Sequence, residues 1–115
     1  MIDLVIHVGI RKSATTWLQE KLFPELSGTH YLGKTEAEYP RWLIDWHYLD
    51  DFEFARRAQE IRSAAESSMR TGVCNLISSE AFTNTAVIWQ QAQRIKQLFP
   101  HARILITLRN PIDTL

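Results

Sequence analysis

The segment from Val8 to Leu18, VGIRKSATTWL, constrains the fold of this chain more than any other. A β-branched apolar run, Leu4 to Val8, precedes it, and an amphipathic segment follows it. The junction carries a glycine, two cations and three hydroxyl groups, namely Gly9, Arg11, Lys12, Ser13, Thr15 and Thr16. This order is typical of a buried strand, a turn and a helix N-terminus, where free N–H groups and the helix dipole attract phosphate or sulfate. The segment predicts an α/β domain with an anion site at this turn.

The rest of the chain alternates between short apolar runs and amphipathic segments. Apolar runs predict strands over residues 3–8, 30–32, 73–78 and 103–108. Spacings of three and four predict helices over 14–23, 51–70 and about 85–99, with one or two short helices in the aromatic stretch 39–54. Strands separated by helices favour parallel pairing with right-handed crossovers. Residues 1–115 are therefore predicted to form a single α/β domain.

The same apolar spacing predicts which side chains face the core. The stripes comprise Trp17, Leu18 and Leu22, then Phe54, Ala58, Ile61, Ala65 and Met69, then Ile88, Ala92, Ile95 and Phe99. His7 interrupts the first strand and is expected to be a packed core histidine. Cys74 is expected to be a small buried hydrophobe.

Composition excludes some classes of function. Thirteen basic side chains balance thirteen acidic ones, so no broad surface for nucleic acid is expected. No apolar run approaches the ~20 residues that span a bilayer. Asp3 and the missing basic region argue against a signal peptide at the N-terminus. A cytoplasmic location is the expectation.

Polar residues follow three of the predicted strands. They are the turn around Lys12, the pair Ser79-Glu80 and the pair Arg109-Asn110. Ligands of parallel sheets bind at the carboxyl ends of strands, so the three groups are predicted to share one site.

The turn around Lys12 departs from the common nucleotide-binding motifs. A Walker A loop places its second glycine directly before the lysine, and Arg11 holds that position here. The sequence also contains no G-x-G-x-x-G fingerprint. Both observations argue against triphosphate hydrolysis and dinucleotide binding.

Lys12-Ser13-Ala14-Thr15-Thr16-Trp17-Leu18 resembles the 5′-phosphosulfate loop of sulfotransferases that use 3′-phosphoadenosine 5′-phosphosulfate (PAPS), which reads approximately K-[S/T]-G-T-T-W-L. Ala14 replaces the glycine of that pattern. The end of the chain, Arg109-Asn110-Pro111-Ile112-Asp113, is similar to the family's 3′-phosphate motif. The family's serine, about eight residues past that arginine, and its C-terminal helices are absent from this sequence, which ends at Leu115. The resemblance implies a three-layer, P-loop NTPase-like fold of sulfotransferase type, apparently truncated.

The resemblance also implies roles for individual residues. Lys12 would offset charge on the departing 3′,5′-bisphosphate, and Arg109 would bind its 3′-phosphate. Ser13, Thr15 and Thr16 would hold the 5′-phosphate, and the PAPS-binding segment would also include Arg11, Ala14 and Trp17. No metal is implied. The acceptor would be a hydroxyl or amine of a carbohydrate or small molecule.

The identity of the catalytic base stays open between two residues. Glu80, just past the third strand, is the leading candidate, because several carbohydrate sulfotransferases use a glutamate. Glu80 capping the next helix or pairing with Arg109 is the alternative. His47 is the rival base. The aromatic residues of 39–54 either line an acceptor pocket or pack in the core, and core packing is favoured.

Two other functions remain open from the sequence. One is a P-loop kinase-like nucleotide binder, which is disfavoured by the missing Walker glycine. The other is a non-catalytic module that binds an anion or a partner. A truncated domain is also expected to leave a sheet edge or apolar face uncovered, which would favour a homodimer.

Overall fold

The computed structural model of the protein describes residues 3–9, 18–33, 39–79, 82 and 88–107. Its four strands are β1 (Asp3–Gly9), β2 (Thr29–Gly33), β3 (Cys74–Ser78) and β4 (Arg103–Thr107). Its three α-helices are α1 (Arg41–Tyr48), α2 (Asp51–Ser67) and α3 (Ile88–Leu98). A π-helical turn, Leu18–Leu22, continues into a 3₁₀ turn, Phe23–Glu25. The four predicted strands and the predicted helices between β2 and β4 are confirmed, apart from residues 85–87, which lie outside the described residues. Of the helix predicted over 14–23, residues 14–17 also lie outside them, and the rest forms these two turns.

The four strands form one parallel sheet in the order β2-β3-β1-β4. After β1, the chain forms β2 two positions away in the sheet, and β3 then fills the position between them. The last strand, β4, pairs with the other side of β1. Because crossovers are right-handed, this change of direction sends the connection after β1 and the connection after β3 to opposite faces of the sheet. The carboxyl ends of β1 and β3 therefore flank a topological switch point.

Described elements contact both faces of the sheet. Leu4, Ile6 and Val8 of β1 belong to the hydrophobic core that α1, α2 and α3 complete. The alternate residue His7 faces the opposite side, where its ring lies 5.1 Å from that of Phe23. Tyr31 of β2 also approaches Phe23, at 6.0 Å between ring centroids. The three α-helices thus pack on one face of the sheet, and the 3₁₀ turn Phe23–Glu25 packs on the other.

Helix α2 shows how local sequence sets the ends of an element. The Asp50 side chain accepts a hydrogen bond from the backbone N–H of Glu53 at 2.8 Å, which caps the first turn. The predicted stripe is confirmed, with Phe54, Ile61 and Ala65 buried and Ala58 and Met69 packed against the core. The helix ends at Ser67, three residues earlier than predicted. Gly72, with φ of +79°, belongs to the turn that leads into β3.

The predicted inner face of α3 is right for Ile95 and Phe99, which pack against the hydrophobic core, and wrong for Ile88 and Ala92, which are exposed. Its buried side chains are Gln91, Arg94 and Leu98, whereas Ile88 is 54% exposed. The reason is that α1 and its C-terminal connection present carbonyl oxygens to α3, and polar side chains satisfy them. Ile88 and Ala92 instead line an apolar groove of about 420 Å³ with Ile104 and Ile106 of β4.

Two smaller expectations also differ from the structure. Leu22 was expected on the inner side, but it is exposed, and its neighbours Gln19 and Phe23 are buried instead. A π-helical turn changes the angular spacing of side chains, which accounts for this shift. Cys74 is half-buried rather than buried. In the described portion of the chain, no helix is long and apolar enough to cross a membrane.

Candidate functional site

The carboxyl ends of β3, β1 and β4 lie side by side. His7 is the register partner of Ser78 in β3, and Gly9 is the partner of Thr107 in β4. In sequence, Glu80 follows Ser78 by two residues, Lys12 follows Gly9 by three, and Arg109 follows Thr107 by two. The three predicted groups of site residues therefore follow three neighbouring strands at one edge of the sheet.

The predicted site residues themselves lie outside the described part of the structure. They are Arg11, Lys12, Ser13, Ala14, Thr15, Thr16, Trp17, Glu80 and Arg109. The described residues next to them in the chain are the carboxyl ends of β1, β3 and β4 and the turn that begins at Leu18.

A buried polar cluster occupies this edge on the face covered by the Leu18–Leu22 turn. His7 Nδ1 lies 2.7 Å from Ser78 Oγ, and His7 Nε2 lies 3.0 Å from Thr107 Oγ1. Gln19 Nε2 donates to Ser78 Oγ at 2.9 Å. The four residues, which we call the His7 cluster, connect three strands with the turn that begins at Leu18. His7 and Ser78 are fully buried, and Gln19 is 2% exposed.

The donors and acceptors of the His7 cluster fit a neutral imidazole. Ser78 Oγ accepts from the Gln19 amide, and the same hydroxyl can either donate to His7 Nδ1 or accept from it. Thr107 Oγ1 can likewise accept from Nε2 or donate to it, so both ring nitrogens are satisfied in either neutral tautomer. Burial lowers the pKa of His7, which also favours the neutral form. The cluster therefore adds no charge to this edge of the sheet.

The cluster contains functional candidates that the sequence did not single out. His7 was correctly expected to be a packed histidine. Gln19, Ser78 and Thr107 were not selected, although Ser78 and Thr107 are hydroxyl residues at the ends of apolar strands. A hydroxyl residue at the end of an apolar run is the sequence signal that could have identified Ser78 and Thr107. The link to Gln19 depends on the π-helical turn, which the sequence pattern does not reveal.

His47, the rival base, lies in the contact between α1 and α3. Its Nδ1 donates to Gln91 Oε1 at 2.9 Å, and its ring lies 4.6 Å from that of Phe82. Burial is the main cause that lowers its pKa to about 4, so the ring is neutral near pH 7. Its Nε2 atom is buried and has no hydrogen-bond partner among the described residues. These contacts are those of a packing residue.

The aromatic stretch 39–54 divides between core and surface. Trp46 and Phe54 are buried in the core, as favoured from the sequence, whereas Tyr48 and Phe52 are exposed. Two further members, Tyr39 and Trp42, line a groove of about 310 Å³ together with Tyr31 and Gly33 of β2.

Metal-binding residues were also sought within the described ranges. No group of three or more histidine, cysteine, aspartate or glutamate side chains suited to holding a metal ion occurs there.

Comparison with known proteins adds no assignment. No protein-family model, no curated protein and no solved structure matches this chain.

Proposed function

We propose that this chain binds 3′-phosphoadenosine 5′-phosphosulfate and belongs to a sulfotransferase of the P-loop-like type. The observation that carries the proposal is the adjacency of β1 and β4. The phosphosulfate-like segment Lys12–Leu18 follows β1, the bisphosphate-like segment Arg109–Asp113 follows β4, and Gly9 and Thr107 are register partners. The two motifs, one for each end of the ligand, thus follow neighbouring strands at the same edge of the sheet.

The topology supports the same location. The connections after β1 and β3 go to opposite faces of the sheet, which opens a crevice outside their carboxyl ends. Ligands of open parallel sheets bind in such a crevice. The neutral His7 cluster below it does not repel an anion, so the described frame is compatible with a ligand that carries several negative charges.

The residue types suit this ligand. When bound, PAPS supplies an activated sulfuryl group and a 3′,5′-bisphosphate leaving group. Lys12 provides a point charge that neutralises negative charge at the bridging oxygen, and Ser13, Thr15 and Thr16 donate to the 5′-phosphate. The planar Arg109 guanidinium binds the 3′-phosphate. Glu80, which follows β3 in sequence, accepts the proton of the acceptor hydroxyl or amine.

Calorimetric titration tests the proposal. The chain is titrated with adenosine 3′,5′-bisphosphate and, separately, with ATP and Mg²⁺. We expect the bisphosphate to bind more tightly, because the site offers cations at two separate positions and the Walker glycine is replaced. Preference for ATP with Mg²⁺ would support the kinase-like alternative. Failure to bind either nucleotide would support a non-catalytic module.

A radiolabelled transfer assay then tests turnover. The acceptors are a panel of carbohydrates and phenols, and Glu80→Gln is compared with the unchanged chain. We expect the variant to transfer sulfate at least about 100-fold more slowly, because general base catalysis contributes about 10² to 10⁴ in rate. An unchanged rate would show that the base lies elsewhere.

A further inference from the structure

We infer that Gln19 and Ser78 are positioning residues for the anion-binding segment. The inference rests on the proposed function, because it concerns how that segment is held rather than what it binds. Gln19 Nε2 donates to Ser78 Oγ at 2.9 Å, and this bond ties the helical turn after the segment to β3. The resulting contact spans fifty-nine positions of the chain, so it is not imposed by local sequence.

Residues 10–17 are bounded on both sides by described structure. On one side is β1, which pairs with both β3 and β4. Its last residue, Gly9, is the register partner of Thr107. On the other side, the chain enters the Leu18–Leu22 turn. Residues 10–17 connect these two anchors, so we expect a change at the second anchor to alter anion binding by this segment.

The second anchor depends on tertiary contacts. The turn is only five residues long, and helical segments this short are not stable by themselves in water. Two of its contacts hold it to the sheet: the Gln19 bond to Ser78, and the packing of the adjoining Phe23 ring against His7. The Phe23 contact is apolar and non-directional. The Gln19 bond is directional, so it fixes the rotation of the turn about its axis.

The His7 ring extends this anchor to the third strand. Ser78 Oγ accepts a hydrogen bond from Gln19 and is hydrogen-bonded to His7 Nδ1, and His7 Nε2 is hydrogen-bonded to Thr107 of β4. The strands that precede the phosphosulfate-like and bisphosphate-like segments are thereby joined to the same chain of hydrogen bonds. Loss of Gln19 or Ser78 should change the affinity for the anion as well as the stability of the fold.

Asn75 provides a matched control in the same strand. It is fully buried, its Nδ2 donates to the carbonyls of Asp3 and Arg70, and its Oδ1 accepts from the Arg70 N–H. It lies three residues before Ser78, about 10 Å away along β3 and toward the opposite edge of the sheet. Asn75→Ala removes more hydrogen bonds than Ser78→Ala, but none near the anion-binding segment.

The experiment compares three variants by calorimetry with adenosine 3′,5′-bisphosphate and by urea unfolding. We expect Gln19→Met and Ser78→Ala to weaken binding about tenfold, and Asn75→Ala to change it less than twofold while unfolding more readily. Equal affinity in all three variants would overturn the inference and leave the proposed function standing. Absence of binding by the unchanged chain would instead overturn the proposed function, and the inference with it.

A spectroscopic signature separates positioning from general loss of stability. Nitrogen-15 NMR of the histidine rings reports which His7 nitrogen carries the proton. The unchanged chain should show a neutral His7 ring with its proton on one nitrogen. Gln19→Met should shift the ring-nitrogen signals of His7, because Gln19 and His7 Nδ1 bond to the same Ser78 hydroxyl, whereas Asn75→Ala should leave them unchanged. Identical His7 signals in Gln19→Met and the unchanged chain would contradict the inferred chain of hydrogen bonds.

Discussion

Arg94 Nη2 donates to the carbonyl oxygen of Leu49 at 2.6 Å, which ties α3 to the connection between α1 and α2. The same guanidinium donates to the carbonyl of Trp46 at 2.8 Å and pairs with Asp51 at 3.1 Å. Its side chain is only 3% exposed and lies over the Phe54 ring at 4.4 Å. Three helices therefore converge on one buried cation.

Replacing Arg94 by methionine should destabilise the fold by about 3 kcal/mol, since the buried Trp46 carbonyl and the partly buried Leu49 carbonyl lose a charged donor. The free energy of unfolding in urea measures this. Arg103→Met is the matched control, because its pair with Asp3 is exposed on both sides and such pairs contribute less than about 1 kcal/mol. Similar losses in the two variants would show that Arg94 contributes only as a surface charge.

The neutral, buried His47 should make stability depend on pH. Its folded pKa of about 4 lies below the ordinary value of 6.5, so the unfolded chain binds the proton more readily. The contribution is complete above pH 6.5 and is lost as pH falls toward 4. The difference of about 2.5 pH units corresponds to about 3 kcal/mol.

Urea unfolding at pH 7.5 and pH 4.5 measures the loss at His47. In His47→Gln the loss over this interval should be smaller by about 2 to 3 kcal/mol, because the amide does not titrate there. The same substitution at exposed His101 is the control. An equal pH dependence in His47→Gln and the unchanged chain would contradict the burial of this ring.

Gly33 allows β2 to approach β3 closely. A Cβ atom at this position would lie 2.8 Å from Tyr31 Oη and 2.9 Å from the Ser78 carbonyl oxygen. Gly33→Ala should therefore cost about 1 to 3 kcal/mol of unfolding free energy, as overpacking does elsewhere. A smaller effect than that of Gly28→Ala, where the space is open and only the positive φ is strained, would contradict this account.

Local sequence patterns predicted the order and type of most described elements. Runs such as Leu4–Ile6 have the β-branched or apolar character of buried strands, and Asp50 is of a residue type that caps helices. Each signal depends on neighbours within a few positions. Strand order depends instead on crossovers between distant segments, so the sequence predicted parallel pairing without the order β2-β3-β1-β4.

Two of these differences involve a hydrogen-bond partner that is distant in sequence. Apolar spacing assigned Ile88 to the inner face of α3, but carbonyl groups more than forty positions earlier recruit Arg94 and Gln91 into the interior. Likewise, Gln19 enters the interior because Ser78, fifty-nine positions later, accepts its proton. Burial of a polar side chain depends on its hydrogen-bond partner, and the spacing of apolar residues does not identify that partner. For the site, the sequence predicted the converging strand ends but missed the His7 cluster.

The most direct test of the central claim is a binding comparison of Lys12→Ala and Arg109→Ala, using adenosine 3′,5′-bisphosphate and 5′-AMP. If two neighbouring strand ends bind the two ends of one ligand, Lys12→Ala weakens both nucleotides about 10- to 100-fold, since charge-assisted bonds contribute about 1.5 to 3 kcal/mol. Arg109→Ala should weaken the bisphosphate by a similar factor and leave 5′-AMP nearly unchanged. Equal weakening of both nucleotides by Arg109→Ala, or none, would contradict the account.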